Sequence, residues 1–299
     1  MKKIVFIKFA GMASGGTEKY LQSLAILYKQ NAHDVDYYYT NAAPITSGWV
    51  HPDNDDNRIN LLKSKNINIL PVYVGYRHGN MWHETNFFDI FKKNNYDILV
   101  TAGDGSAEFP YTEIKDIPII HTIHGEHVFN QINIKKSVLL CKWQANKWLN
   151  NGGDIKKLEI IPSYVPVPET WNTSFRKKYK IPEDAFVFGF HQRNDNQIAS
   201  NISLTCFKQI TIPNTYFCIL GGSDVHRNFV TENKIQNVIF IDHTSNVDEI
   251  HEFLDGIDVY AHCRNDGEVC SAAIIEAMYH GKPIISAPGM NMGHEEQLD

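Results

Sequence analysis

The stretch Ile257-Asp-Val-Tyr-Ala-His-Cys-Arg-Asn-Asp-Gly-Glu268-Val-Cys-Ser-Ala-Ala-Ile-Ile-Glu276-Ala-Met-Tyr-His-Gly-Lys-Pro-Ile-Ile285 decides the architecture. It reads as strand, loop, helix, tight turn, strand. The apolar runs at 257–261 and 283–286 are short enough for buried strands. Two such strands joined through one helix by short connections form the repeating unit of a parallel sheet. Ser271 stands where a helix needs an N-cap. The amides of Ala272, Ala273 and Ile274 are then expected to be unpaired at the helix start, where the helix dipole favours an anion.

Two carboxylates frame that helix start. Glu276 sits about a turn and a half into the helix. Its neighbours Ala272, Ala273, Ile274, Ile275, Ala277 and Met278 are apolar almost all the way round. The helix is therefore expected to be buried, and an isolated buried carboxylate is costly. Helical side chains lean toward the N-terminus, so Glu276 can reach the same place as the amides. A carboxylate there can accept hydrogen bonds from two vicinal hydroxyls, which suits a ribose. Glu268, in the loop before the helix, can accept from a sugar. On chemistry alone, a buried Glu paired with Lys or Arg and a second Glu on a surface loop explain the stretch equally well.

The same alternation runs through the whole chain. Strand patterns at 4–9, 35–39, 67–74, 97–101, 117–122, 138–141 and 158–161 alternate with helical patterns at 17–30, 57–65, 84–94 and 143–150. Leu21, Leu24, Ala25 and Tyr28 recur at helical spacing and are expected to face a sheet. Three prolines between Ile161 and Glu169 mark an extended linker. A second series follows, with strands at 186–190, 215–220, 237–241, 257–261 and 283–286. The expected helices are 198–209, 247–254 and 272–280. The fold class is α/β: two doubly wound Rossmann-like domains, 1–165 and 166–299, facing a cleft. Ligands in such sheets sit at the carboxyl ends of strands.

The composition bounds the partners. The 299 residues are 43% hydrophobic and 21% charged, with a net charge of −6. That balance argues against nucleic acid, whose phosphates select a basic surface. Short basic runs such as Lys156-Lys157 and Arg176-Lys177-Lys178 read as solvated faces, which leaves peripheral membrane contact open. No apolar run is long enough for a transmembrane helix. The opening Met-Lys-Lys-Ile-Val-Phe-Ile-Lys reads as a first strand and not as a signal peptide, because Lys8 interrupts it. The five cysteines, without metal-ligand spacing, read as reduced core thiols. The expected location is cytoplasmic.

The pattern Glu268, seven residues, Glu276, then Ala-Met and Gly-Lys-Pro before an apolar strand resembles the signature of glycosyltransferase family 4. The resemblance implies the GT-B fold and a retaining, metal-independent transfer from a nucleotide diphosphate-sugar, with no further cofactor. It implies that Glu276 holds the nucleotide ribose and that Glu268 contacts the donor sugar. Ser271, Ala272 and Ala273 then offer amides to sugar and phosphates. Where the family has an aromatic and a glycine after the first Glu, this chain has Val269, Cys270 and Ser271, so the sugar pocket differs.

Weaker elements stand in the family's order. Gly11-Met-Ala-Ser-Gly15-Gly16-Thr-Glu18 resembles its Gly-Gly-x-Glu turn, so Gly15 and Gly16 are expected at the donor. Ala32-His-Asp-Val-Asp resembles its entry into the second strand. This makes Asp34 and Asp36 strand residues and not the Asp-x-Asp metal motif of another fold. At the end of Ile119-Ile-His-Thr-Ile-His124-Gly-Glu-His127, His124 matches the family's catalytic histidine better than His121 or His127. Arg193, ending Phe186-Val-Phe-Gly-Phe-His-Gln-Arg193, matches its diphosphate-binding arginine. The lysine expected about five residues on is missing, and Lys208 is a candidate replacement. The predicted catalytic residues are thus His124, Arg193 and Glu268. The donor-binding residues are Gly15, Gly16, Arg193, Ser271, Ala272, Ala273 and Glu276.

Members of the family continue past the Glu295-Glu296 position into a closing helix, so that helix is expected to be absent here. The acceptor, a glycan, lipid or small molecule, is not legible; Tyr76-Arg-His-Gly-Asn-Met-Trp82 is a candidate loop for it. Two further readings stay open. One is an epimerase or phosphorylase on the same fold. The other is a degenerate nucleotide-sugar-binding protein.

Overall fold

A computed structural model describes residues 1–8, 12–13, 15–40, 45–47 (backbone only), 55–166, 168 and 170–299. Phe9 of the first strand pattern, Gly11 and Ser14 of the glycine turn, and Val167 and Glu169 of the proline-rich stretch lie outside the described residues. The chain divides into two units, Met1–Tyr164 and Val165–Asp299.

Unit 1 is built on a parallel sheet. Its strands are β1 (Lys3–Lys8), β2 (Asp34–Thr40), β4 (Asn68–Val72), β7 (Ile98–Gly103), β8 (Ile119–Ile123), β9 (Ile134–Leu139) and β10 (Leu158–Ile160). The spatial order is β10-β9-β8-β7-β1-β2-β4. The chain leaves β1 toward one edge, then returns to β7 on the other side of β1. A second small sheet, β3 (Ile45–Ser47), β5 (Val74–His78) and β6 (Met81–Thr85), stands beside it in sequence. The helices are α1 (Gly16–Gln30), α2 (Asp56–Ser64), α3 (Phe87–Phe91) and α4 (Lys142–Asn150).

Strand alternation explains how both faces are filled. In β1, Ile4 and Phe6 join Leu21, Ala25, Val35 and Tyr37 on the α1 side. Val5 and Ile7 join Tyr38, Trp82, Phe87 and Leu99 on the other. Successive strand residues point to opposite faces, so a sheet covered twice reads as one continuous apolar run. Leu24 and Tyr28 pack against the α1-side core, as their spacing predicts.

Three expectations in unit 1 need correction. The pattern at 67–74 is not one strand: β4 ends at Val72 and β5 starts a different sheet at Val74. The candidate acceptor loop from Tyr76 to Trp82 is an antiparallel hairpin, in which Tyr76 pairs with His83 and His78 with Met81. Its two-residue turn, Gly79-Asn80, has Gly79 at φ 55°. That is the turn chemistry hairpins favour. The helix expected at 84–94 shrinks to α3 because β6 continues to Thr85.

Unit 2 holds a parallel sheet of β11 (Phe186–Gln192), β12 (Thr215–Gly221), β13 (Val238–Ile241), β14 (Val259–His262) and β16 (Ile284–Ser286). The order β13-β12-β11-β14-β16 repeats the plan of unit 1. Its helices are α5 (Phe175–Lys178), α6 (Ile202–Phe207), α7 (Asp224–Glu232), α8 (Val247–Gly256), α9 (Ala272–Tyr279) and α10 (Glu295–Leu298). A short pair, β15 (Gly267–Glu268) and β17 (Asn291–Met292), lies in the loops after β14 and β16. The core gathers Val187, Phe190, Phe217, Ile219, Phe253, Leu254, Tyr260, Ile274 and Ala277. The pattern reading had no α7, whose sequence Asp-Val-His-Arg-Asn-Phe-Val-Thr-Glu is poor in apolar residues.

Among the described residues no helix is long and apolar enough to cross a membrane. All five cysteines are free thiols. Cys141, Cys218 and Cys263 are buried, but Cys206 is exposed and Cys270 half-buried. The reading of all five as core thiols therefore fails at those two positions.

Candidate functional site

Strand order fixes where unit 2 can bind a ligand. The chain runs β11, β12, β13 toward one edge and β14, β16 toward the other. The carboxyl ends of β11 and β14 flank this switch point, where open α/β sheets leave a crevice. β11 delivers His191 and Gln192 there, and β14 delivers His262. The loop after β14 carries Arg264, Asp266 and Glu268, and α9 begins immediately beyond.

Ser271 caps α9 as its sequence position predicts, with its hydroxyl accepting from the Ile274 amide at 3.4 Å. This corrects the expectation that Ile274 offers a free amide. The Ser271 amide is also engaged, donating to Gln297 Oε1 at 2.7 Å. Gln297 Nε2 returns a bond to the Ser271 carbonyl at 3.3 Å, so α10 clamps the start of α9. The amides of Ala272 and Ala273 are the ones left without a partner among the described residues. Two N–H groups at a helix N-terminus, in the positive end of its dipole, can take an anionic oxygen.

Glu276 is 8% exposed. Its Oε2 lies 2.8 Å from His191 Nε2. The sequence reading had assigned Glu276 a partner only in kind, a Lys, an Arg or a ligand. His191 is 85 residues away in sequence, at the carboxyl end of β11. Its signal was a polar residue at the end of an otherwise apolar strand pattern. His191 Nδ1 is enclosed without a hydrogen-bond partner among the described residues.

Glu268 is held by a cation absent from the predicted list. Arg264 Nη1 donates to Glu268 Oε1 at 3.0 Å. The same guanidinium grips Asp266 through Nε at 2.9 Å and Nη2 at 2.6 Å. Burial raises the Glu268 carboxyl above the usual range, and Arg264 opposes that rise. His262 is pushed down to about 3, chiefly by burial and then by Arg264, so its ring is neutral. Gly267 has φ 69°, and a Cβ there would meet the Asn291 carbonyl oxygen at 2.1 Å. Only glycine fits that close approach and that backbone.

Arg193 is at the carboxyl end of β11 but is not alone. Asp195 Oδ2 accepts from its Nε at 3.0 Å and its Nη2 at 2.8 Å. Burial works to raise the Asp195 carboxyl, but the Gln197 amide and Arg193 hold it below the usual range. Arg193 remains half-exposed, at 55% of its side chain. Lys208 cannot take the role of the missing lysine. It follows the end of α6, on the side where β12 begins, and bonds Asn233 at 3.0 Å.

The predicted residues of unit 1 gather at that unit's own switch point, the carboxyl ends of β1, β7 and β8. Gly15 is the N-cap of α1, and Gly16 has open space around it. A Cβ on Gly15 would lie 2.3 Å from Glu18 Oε2, so the glycine lets that carboxylate fold back over the helix start. Glu18 pairs with Lys8 at 3.5 Å, both side chains being at least nine-tenths buried. Lys8 Nζ also donates to the Ala102 carbonyl at 3.0 Å. His124 follows β8, with its ring edge-on to Tyr20 at 5.1 Å. Burial pushes His124 down to about 3 and His121 to about 4. Glu108, which no sequence motif marks, is buried and pushed up to about 7, mainly by burial, with Lys8 opposing the rise and Asp104 and Glu18 adding to it. Asp36 is structural, accepting from the Tyr96 hydroxyl at 2.6 Å and from Asn68 at 2.9 Å.

Comparison with known proteins follows from this geometry. Residues 172–297 match the family described as glycosyl transferases group 1. No curated protein sequence matches the chain significantly. Among solved structures, HepE from Anabaena in complex with UDP and glucose superposes with a TM-score of 0.68 at 16% identity, over 100% of this chain and 83% of that one. A glycosyltransferase from Rickettsia africae gives 0.66 at 15% identity, over 95% and 79%. Sucrose-phosphate synthase from Thermosynechococcus elongatus gives 0.66 at 14% identity, over 95% and 81%. The chain has the GT-B fold, with two Rossmann-like domains built on parallel sheets.

Proposed function

We propose that this protein is a glycosyltransferase that moves a hexose or related sugar from a nucleotide diphosphate-sugar to a hydroxyl acceptor, with retention of configuration and without a metal. One observation carries the reading. A buried carboxylate, Glu276, and the unpartnered amides of Ala272 and Ala273 meet at the switch point of the unit that matches the glycosyl transferases group 1 family.

In this reading Val165–Asp299 is the donor-binding domain and Met1–Tyr164 the acceptor-side domain. Glu276 takes the ribose hydroxyls beside His191. The α9 amides and Arg193 take the diphosphate. Fixed dipoles and a cation aimed at the leaving oxygen stabilise the charge that develops there. Glu268 takes a hydroxyl of the donor sugar. The acceptor oxygen bonds to the anomeric carbon on the face from which the phosphate departs, and the acceptor proton passes to that phosphate. HepE, in complex with UDP and glucose, makes UDP-glucose the first donor to try. The protein acts in the cytoplasm, and its acceptor is a glycan, a lipid or a small molecule.

A thermal-shift screen with UDP, GDP and ADP and their glucose or mannose conjugates tests this. A ligand at about 100 times its Kd adds roughly 2.7 kcal/mol of stability. A shift selective for one base, followed by transfer to an added acceptor, is the expected outcome. No shift with any nucleotide sinks the proposal. A second reading, a nucleotide-sugar-binding protein without turnover, draws on the Arg193–Asp195 pair, which would meet a diphosphate with little net charge. Binding without any sugar transfer or hydrolysis would favour it.

A further inference from the structure

The loop between β14 and α9 holds a cation that the family pattern did not predict, already engaged by two carboxylates. Arg264 Nε and Nη2 reach the two oxygens of Asp266, a two-point grip that fixes the guanidinium plane. Its remaining nitrogen, Nη1, reaches Glu268 Oε1. The side chains are 20%, 34% and 18% exposed for Arg264, Asp266 and Glu268, so solvent screens them only in part. The backbone around them is equally fixed. The Asp266 carbonyl accepts from the Asn291 amide at 3.0 Å and from Asn291 Nδ2 at 2.9 Å. The Glu268 carbonyl accepts from the His294 amide at 3.1 Å. His262 Nε2 lies 3.6 Å from the same Glu268 oxygen that Arg264 binds, beyond hydrogen-bond reach.

Both neighbours therefore face Oε1, and Oε2 is the oxygen left for a ligand. We propose that Arg264, locked by Asp266, is a positioning residue for the donor sugar: it holds Glu268 by one oxygen so that the other receives a sugar hydroxyl. The proposal rests on reading Glu268 as a donor-sugar ligand. Arg264 also opposes the burial that raises the Glu268 carboxyl. The charged or titratable groups facing Glu268 include Arg264, Asp266, His262, His294 and Tyr260.

Titration calorimetry on the intact chain separates sugar from nucleotide. The probe pairs are UDP-glucose and UDP, GDP-mannose and GDP, and ADP-glucose and ADP, and the pair that wild type binds is carried forward. In Arg264→Met the sugar conjugate should bind about tenfold or more weakly, while the bare diphosphate stays within about twofold. Asp266→Asn keeps the cation but loosens it, and should show a smaller loss confined to the sugar conjugate. This variant carries the test if Arg264→Met does not fold. Equal losses for conjugate and diphosphate, or no change in either, would overturn the positioning role while leaving donor binding intact. A wild-type protein that binds none of the probes would overturn the donor reading, and this proposal with it.

Discussion

Replacing Glu276 with alanine tests the ribose half of the site directly. The carboxylate is 8% exposed and bound to His191 at 2.8 Å, so its position is set before any ligand arrives. A hydrogen bond to a charged group contributes about 1.5–3 kcal/mol. Losing one such bond to a ribose hydroxyl weakens diphosphate binding by roughly 10- to 150-fold. Glu276→Gln keeps the shape and one acceptor oxygen but loses the charge. A neutral hydrogen bond contributes about 0.5–1.5 kcal/mol, so this variant should fall between wild type and alanine. Titration calorimetry with the nucleoside diphosphate that wild type binds is the assay, with a thermal melt of each unliganded variant beside it. Alanine also strands His191 Nε2, which costs about 1–3 kcal/mol of folding stability. The melt therefore has to separate lost fold from lost affinity. A Glu276→Ala variant that stays folded and binds the diphosphate within about twofold of wild type would refute the assignment.

Two further predictions concern unit 1. Lys8→Met leaves the Glu18 carboxylate buried without its cation, and breaking a buried pair from one side costs about 3–5 kcal/mol. Denaturant unfolding should show that loss, and Lys8→Met with Glu18→Gln should recover part of it; a cost under about 1 kcal/mol for the single variant rejects the buried-pair account. Glu108 has its folded-state pKa raised from 4.5 to about 7. The native state then holds a proton that the unfolded chain releases between those values. Stability from this group is present below 4.5 and is lost as pH rises through 7. Glu108→Gln removes that dependence, so its melting temperature relative to wild type should climb between pH 5 and pH 8. A flat or falling difference would contradict the burial of Glu108 as an acid.

Much of the architecture was legible in the chain itself. Continuous apolar runs such as Ile4 to Ile7, filled on both faces, require a sheet covered on two sides, and helical spacing at Leu21 and Ala25 supplies one of the covers. The N-cap at Ser271 could be read from a hydroxyl residue before an apolar helical run, because capping is local. The hairpin of β5 and β6 was readable in principle from Gly79-Asn80, but the helical pattern assigned to 84–94 overran its second strand. Helix α7 escaped because its sequence carries few apolar residues to give a period.

At the candidate site, residue type came from the sequence and partnership from the fold. A buried, apolar helix makes Glu276 need a polar partner whatever that partner is. Which one it meets depends on β11 lying beside β14, and that neighbourhood arises from strand order, which no local pattern encodes. The same holds for Lys8 with Glu18, joined across a glycine at a helix start, and for Lys208, excluded from the diphosphate side by the direction of α6. The Asp266–Arg264–Glu268 chain spans only a few residues, yet its geometry depends on Gly267 packing against Asn291 from a separate strand. Local sequence thus fixed periodicity, caps and the two carboxylates. Only the tertiary structure decided what each charge touches, because a buried charge is balanced by whichever group the packed strands bring within about 3 Å.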